Sequence, residues 1–333
     1  MGSVQTTSCL LCESKNLDEV LSLRPTPPAN AYVTAEQRGV PQTTYPLTLL
    51  RCASCWHVQL QDLVDPEELF GGYRYVSGTS LSTVQGYKKF AVRCQKQFNL
   101  RTNELVVEIG SNDGSLLNEF IPYTYVIGVD PAREIAQTAQ KKGIPTLVDF
   151  FTPKLARDIV FSGLGGPASL IIANNVFAHV PDMLGFVSGV KELLAPEGVF
   201  CFEVSYLPDV LEKLYFDLIY SEHMSYHTIT ALVPFFVNNG LRIVDIERIH
   251  LHGGSIRCWV AHKDSHHALN PHNVSQCLIE EHRLGLGGWE IYHRFRHRIH
   301  QAKQQFYDCV APLIENGNSL CGYGAPAKLT TLM

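Results

Sequence analysis

Nowhere in its 333 residues does the chain run through 18 consecutive apolar positions, and its first residues form no apolar signal segment. A membrane-spanning helix and a secretory leader are therefore not expected, no membrane partner is implied, and the cytoplasm is the default compartment. Basic charge is not in excess either: 27 Lys and Arg stand against 32 Asp and Glu, for a net charge of −5. A nucleic-acid-binding face needs a basic stripe, so no nucleic acid is expected as a partner. Nor do the ten cysteines suggest a disulfide framework; in such a chain they point first to metal or free thiols. What remains is an ordinary globular composition, 45% hydrophobic and 18% charged, long enough for roughly two domains of about 150 residues each.

Cys9-Leu-Leu-Cys12 and Cys52-Ala-Ser-Cys55 are two C-x₂-C knuckles. Each can place two thiolates on one tetrahedral ion, so Cys9, Cys12, Cys52 and Cys55 are expected to hold one zinc. The gap between them, residues 13–51, is longer than the usual spacing. With four protein ligands the ion keeps no open position, which makes its role structural. Between the knuckles lie a Pro-rich loop, Arg24–Asn30, and a strand, Tyr45–Arg51. Asp65-Pro66 then opens a short helix, and Gly71–Ser80 reads as a polar, aromatic loop before a helix over Thr83–Phe98.

The chain is organised around Glu104-Leu-Val-Val-Glu-Ile-Gly-Ser-Asn-Asp-Gly114. Leu105, Val106, Val107 and Ile109 read as a buried strand that breaks at Gly110 and Gly114, and Ser115–Phe120 looks helical. Glycine at such a turn lets the backbone approach a ligand, and a helix N-terminus favours a negative group. Glu108 is poorly placed for a diphosphate and suits an amine or a ribose. Tyr125-Val-Ile-Gly-Val-Asp130 is a second strand ending in an acid, the position that grips ribose hydroxyls. The spacing Glu108-x-Gly110-x-Asn112-x-Gly114 departs from G-x-G-x-x-G. Together with Asp130 it resembles the S-adenosylmethionine site of Rossmann-like methyltransferases.

Further βα units follow. A helix over 132–142 leads to a strand over 144–148, ending at Asp149-Phe150-Phe151, where an acid and an aromatic can hold an adenine. A strand over 168–173 is capped by Asn174. A helix over 182–194 and a strand over 198–204 complete five units. Such alternation demands a parallel sheet with ligands at the carboxyl ends of the strands, where Glu108, Asp130, Asp149 and Asn174 all fall. A strand over 241–247, followed over 251–260 by a glycine turn into a further strand, gives a hairpin-like ending, read as an antiparallel edge.

Phe216–His227 is the second chemically dense stretch, with two tyrosines, a glutamate and two histidines between Tyr220 and His227. A histidine suits proton transfer near neutral pH, and a neighbouring carboxylate can orient it; a polar surface turn is the competing reading. Eight of the fourteen histidines lie between His262 and His300, and His293 and His297 are read as a solvated helical face. At Ser319-Leu-Cys-Gly-Tyr-Gly-Ala-Pro-Ala-Lys328 a strand, a glycine turn and a helix are expected to begin.

These segments resemble the sugar C-methyltransferases that act at C-3 of nucleotide-linked 4-keto-deoxysugars. The resemblance covers nearly the whole chain and rests on the paired knuckles, Glu-Ile-Gly-Ser-Asn-Asp-Gly, Ala-Asn-Asn-Val-Phe-Ala-His, Tyr-Ser-Glu-His-Met-Ser-Tyr-His, His-Gly-Gly-Ser and Gly-Tyr-Gly-Ala-Pro-Ala-Lys. It implies an N-terminal zinc domain, a central S-adenosylmethionine domain and a C-terminal Rossmann-like domain that helps hold the nucleotide sugar. It further implies His223 as the base, Tyr220 and Glu222 beside it, His179 as a further active-site group, and Tyr73 or Tyr75 as a substrate contact. The family pattern continues beyond Lys328, so a truncated last segment is expected. The expected fold is thus α/β: a zinc-binding domain over 1–70, a Rossmann-like seven-stranded methyltransferase domain over 71–262, and a helical linker with an incomplete Rossmann-like segment over 263–333. A methyltransferase of the same fold acting on another acceptor, RNA included, and a non-catalytic cofactor-binding remnant stay open.

Overall fold

The computed structural model describes residues 2–161, 163, 165–249, 254–267, 269–324 and 326–332. The N-terminal unit consists of β1 (Ser3–Gln5), β2 (Leu17–Thr26), β3 (Tyr45–Cys52), β4 (Val58–Leu60) and β5 (Asp62–Val64). β3 pairs antiparallel with β2 and β4, and β1 pairs with β5. β2 continues through Arg24 and Pro25, where a loop was expected, because the register shifts between Leu23 and Thr26. A bulge accommodates proline, which has no N–H to give to the ladder. Asp65 then caps α1 (Pro66–Phe70) by accepting from Glu67 N. After a 3₁₀ turn at Ser77–Thr79, α2 (Leu81–Phe98) starts on Ser80, whose side chain accepts from Thr83 N.

The central body is a wound α/β sheet. Along this stretch the chain forms β6 (Leu105–Ile109), β7 (Tyr125–Val129), α3 (Arg133–Lys141), β8 (Thr146–Leu147), α4 (Pro153–Phe161), β9 (Ala168–Asn174), α5 (Met183–Leu193), β10 (Leu194–Ser205), α6 (Leu207–Lys213), β11 (Ser225–Tyr226), α7 (Ile229–Asn238), β12 (Leu241–Ile249) and β13 (Ser255–His262), of which all the strands but β11 build the central sheet. The seven-stranded order is β12-β13-β10-β9-β6-β7-β8. β6 to β10 run parallel, and β13 is antiparallel to both its neighbours. Every residue of β6 is buried, as a strand covered on both faces requires. One face carries Phe177, Phe186, Phe200, Phe202 and Phe236; a second core holds Phe90, Phe120 and Trp259.

Three expectations need correction here. The antiparallel strand is not the edge: β13 is inserted between β10 and β12. β8 is only two residues long, and Leu117–Glu119 form a 3₁₀ turn rather than a helix from Ser115, because Leu116, Leu117 and Phe120 all turn into the core. The glycine turn at Leu251–Gly253 lies outside the described residues.

β11 does not join the central sheet. It pairs antiparallel with β4, Ser225 opposite Gln59 and Tyr226 opposite Val58, and so extends the N-terminal sheet to the order β11-β4-β3-β2. Leu218, Ile219 and Tyr226 share a core with Leu47, Leu49, Tyr292 and Phe295. Two long helices, α8 (Pro271–Leu284) and α9 (Glu290–Glu315), and a short α10 (Leu329–Leu332) complete the chain. Buried Glu281 of α8 accepts from Tyr206 Oη at 2.7 Å and from Ile229 N and Thr230 N at 2.6 and 2.7 Å, capping α7. No strand forms over Ser319–Gly322; Leu320 and Tyr323 are exposed, and a strand without a partner strand gains no ladder. Among the described residues no helix is long and apolar enough to cross a membrane.

Candidate active site

The carboxyl ends of β6, β7 and β9 lie side by side, since β6 pairs with both others. They place Glu108, Asp130 and Asn174 around one corner of the sheet. Gly110 and Gly114 have φ of +70° and +73°, values that only glycine adopts freely. A Cβ on Gly110 would come within 2.4 Å of Val176 Cγ2, and one on Gly114 within 2.5 Å of Ile144 Cδ1. Glu108 Oε2 and Asn174 Oδ1 are buried acceptors without a partner among the described residues. Burial, reinforced by the charges of Asp130 and Asp113, pushes the Glu108 carboxyl well above its usual range. Asp130 accepts from Asn112 N at 2.8 Å and Ala132 N at 2.9 Å, and burial raises it as well. Orphaned acceptors and raised acids fit a ligand that brings a cationic amine and hydroxyl donors, as S-adenosylmethionine does. Asp149, after β8, is exposed and accepts from Phe150 N; Phe150 is half-buried.

The amide of Asn112 does not face this corner. Its Oδ1 accepts from Ser77 N at 2.8 Å and its Nδ2 donates to Tyr75 O at 2.9 Å. Tyr75 is 51% exposed. Tyr73 is half-buried, and burial together with the charge of Glu222 raises its phenol. Two further residues escaped the sequence reading. Tyr87 stands near Glu108, whose charge adds to burial in raising its phenol; its helical offset from buried Phe90, Ala91 and Cys94 was the available signal. Asn30, at φ +60°, donates from Nδ2 to Glu222 Oε1 at 3.5 Å, and nothing local foretells that contact.

The second half of the site is a stack of rings. His179, on the 3₁₀ turn Phe177–His179, lies between Phe70 at 5.3 Å and His223 at 5.2 Å, nearly parallel to both. Tyr220 packs on His223 at 4.3 Å. His223 Nδ1 donates to Leu218 O at 2.9 Å, which leaves Nε2 to accept from Tyr220 Oη at 3.0 Å. The backbone carbonyl thus sets the tautomer. Tyr220–His223 is a turn, closed by His223 N on Tyr220 O. Met224 N donates to Ala178 O and Leu60 N to Met224 O, each at 2.9 Å, so His179, His223 and the N-terminal sheet are tied together. Burial and His223 hold His179 well below the usual histidine range. Burial pushes Tyr220 well up and Glu222 up to about 7. The Glu222 carboxylate is paired with Asn30, and the orienting partner of His223 is a carbonyl.

A cavity of about 480 Å³ adjoins this cluster, lined among others by Pro28, Asn30, Gln42, Glu68, Tyr73 and Arg74. Asn30 and Tyr73 are thus shared between the cavity and the surroundings of Glu222.

In the N-terminal unit the sulfurs of Cys9, Cys12, Cys52 and Cys55 all lie within 4.8 Å of one another. Cys9 to Cys55 and Cys12 to Cys52 are each 3.6 Å. Tetrahedral Zn–S bonds of about 2.3 Å require sulfurs roughly 3.8 Å apart, so the four thiols fit one zinc with no position left for substrate.

Three family models match in tandem: a zinc binding domain over residues 9–70, a methyltransferase domain over 86–246 and a C-methyltransferase C-terminal domain over 250–333. The C-methyltransferase NovU of Streptomyces niveus is 35% identical over 326 residues, covering 98% of this chain and 77% of NovU. Among solved structures, magnesium protoporphyrin IX methyltransferase from Synechocystis PCC 6803 with bound SAH aligns at 16% identity and a TM-score of 0.42, over 57% of this chain and 90% of that one. An S-adenosylmethionine-dependent methyltransferase from Clostridium acetobutylicum aligns at 14% and 0.42, over 54% and 91%.

Proposed function

The chain belongs to the S-adenosylmethionine-dependent C-methyltransferases with an N-terminal zinc-binding domain, and on that premise we propose that it methylates C-3 of a nucleotide-linked 4-keto-deoxysugar. The observation that carries this reading is the carbonyl-oriented His223, whose Nε2 lies 3.0 Å from the hydroxyl of Tyr220. The motif resemblance supplies the substrate class, a small molecule, and the six cysteines outside the zinc cluster, all free, accord with a cytoplasmic setting.

A C–H beside a ketone is acidic because the carbanion spreads into an enolate. In this reading His223 Nε2 takes that proton while Tyr220 turns its hydroxyl from Nε2 to the ketone oxygen. One such donor on a developing oxyanion is typically worth about 2.7–4 kcal/mol. Catalytic hydrogen bonds rearrange in this way between free and substrate-bound enzyme. His179, kept neutral, buttresses the imidazole by stacking, and Tyr73 and Tyr75 contact the sugar. Glu108, Gly110, Asp130, Asp149, Phe150 and Asn174 hold the cofactor, with Asn112 shaping the turn. S-adenosylmethionine, when bound, supplies an electrophilic methyl group. Residues 1–70, 71–262 and 263–333 divide the work into zinc, cofactor and nucleotide-side segments.

Incubation with a 4-keto-deoxysugar nucleotide and S-adenosylmethionine should yield a product heavier by one methylene, with the new methyl on carbon. No product from a substrate shown to bind would overturn the proposal.

A further inference from the structure

Asn112 is 8% exposed and sits at φ +52° in the turn between the two glycines. Its three hydrogen bonds reach in two directions. The main-chain N–H goes to Asp130 Oδ2 at 2.8 Å; the side chain accepts from Ser77 N at 2.8 Å and donates to Tyr75 O at 2.9 Å. The segment it grips carries Tyr73 and Tyr75. Gly78 of the same segment lies flush against the turn, since a Cβ there would meet Ser115 Oγ at 2.4 Å and Asp113 Oδ2 at 2.5 Å. Asp113 is itself fixed, accepting from Lys142 Nζ at 2.7 Å and Ser115 Oγ at 2.8 Å. Segment 73–79 is therefore seated on the 110–114 turn by one buried amide and one missing side chain.

We propose that Asn112 is a positioning residue, a latch that couples occupancy of the cofactor corner to the placement of Tyr73 and Tyr75 at the acceptor site. The assignment of those tyrosines to the acceptor rests on the proposed function; the latch itself does not. Its amide oxygen and amide nitrogen each bond a backbone group of the segment rather than a group at the cofactor corner. A ligand on Asp130 acts on the same carboxylate that holds the Asn112 N–H. Ordering the turn thus orders the segment, the kind of coupling in which one ligand removes the entropic cost of ordering for the next.

The test uses the full chain and hydrogen exchange over residues 73–79, with S-adenosylhomocysteine as the probe. In the wild type the Ser77 amide should be protected, and more so with the probe bound. Asn112→Gly keeps the positive-φ turn and removes the amide. It should reduce that protection and abolish its response to the probe, while changing probe affinity by less than about threefold. Each lost hydrogen bond of ordinary strength corresponds to roughly a fivefold to tenfold effect, so the KM for the acceptor should rise by at least about tenfold while the cofactor KM stays near wild type. Asn112→Asp, which keeps only the acceptor for Ser77 N, should fall between. Gly78→Ala attacks the same seat from the segment's side, its methyl pressing on Ser115 and Asp113, and should reproduce the loss with Asn112 intact. Unchanged Ser77 protection in both Asn112→Gly and Gly78→Ala would overturn the latch. So would equal losses of cofactor and acceptor affinity, which mark a merely structural residue. If no acceptor ketosugar binds the wild type, the proposed substrate fails, and the exchange arm still decides the latch.

Discussion

Among the described residues the Glu222 carboxyl has burial without a strong partner, since the hydrogen bond it accepts from Asn30 is 3.5 Å long. Burial moves its carboxyl from the usual 4.5 up to about 7. The folded chain therefore holds this proton more tightly than the unfolded chain does. The resulting stability is fully present below about pH 4.5 and is lost as the pH rises through about 7. The difference is on the order of 3 kcal/mol, at about 1.4 kcal/mol per unit. Glu222→Gln has no proton to lose and keeps an oxygen for Asn30. Relative to wild type it should gain stability between pH 5 and pH 8, measured by urea unfolding at both ends. Parallel pH dependence in the two proteins would show that Glu222 ionises without penalty. The raised acid was not legible: a glutamate beside a histidine suggested a pair, whereas the fold gives the histidine a carbonyl and the glutamate an asparagine from nearly two hundred residues earlier.

The two knuckles could be read directly because each is local, four residues with their thiols on one turn. β11 could not. It is two residues long, its partner β4 lies more than 160 residues away in sequence, and no periodicity marks it. Yet this pairing ties the zinc unit to the candidate active site, since β11 begins two residues after His223 and Cys52 ends the strand next to β4. Purified protein should contain about one zinc per chain, the stoichiometry of a four-ligand structural site. Cys52→Ser should lose the metal and most activity, because the β11 edge loosens, while affinity for S-adenosylhomocysteine stays close to wild type. Glu108 and Asp130, the acids proposed to hold the cofactor, belong to the separate seven-stranded sheet and its strand ends. A metal-free variant that stays folded and fully active would contradict this dependence.

Across the molecule, the parallel half of the sheet was plain from apolar runs ending in polar residues, and all of Glu108, Asp130 and Asn174 fall where that pattern put them. Strand order in the other half was less plain, although the cause is visible in composition. β13 buries Ile256, Cys258, Trp259, Val260 and Ala261, whereas β12 carries Arg242, Glu247 and Arg248. The more apolar strand takes the interior and leaves the charged one at the edge. The last segment holds fewer contacts. Residues 311–324 are exposed throughout, and only at α10 does the chain return, where Thr331 Oγ1 donates to Ile219 O at 2.7 Å and Lys328 lies 3.9 Å from Asp217. Limited proteolysis should cut first between Asn316 and Tyr323 and leave the rest intact, since cleavage follows exposed backbone with few hydrogen bonds. Protection there equal to that of β6 would show a docked tail.

The central proposal is that His223 removes the proton beside the ketone. It is tested most directly with a 4-keto-deoxysugar nucleotide in deuterated water and S-adenosylhomocysteine, so that deprotonation proceeds without methyl transfer. Binding of the sugar nucleotide is established first for each protein. Wild type should exchange the C-3 hydrogen, and His223→Asn should slow exchange by at least about 10²-fold, the lower range for a positioned base, with affinity for S-adenosylhomocysteine unchanged. Exchange at the wild-type rate in His223→Asn would contradict the account and pass the role to Tyr220 or His179.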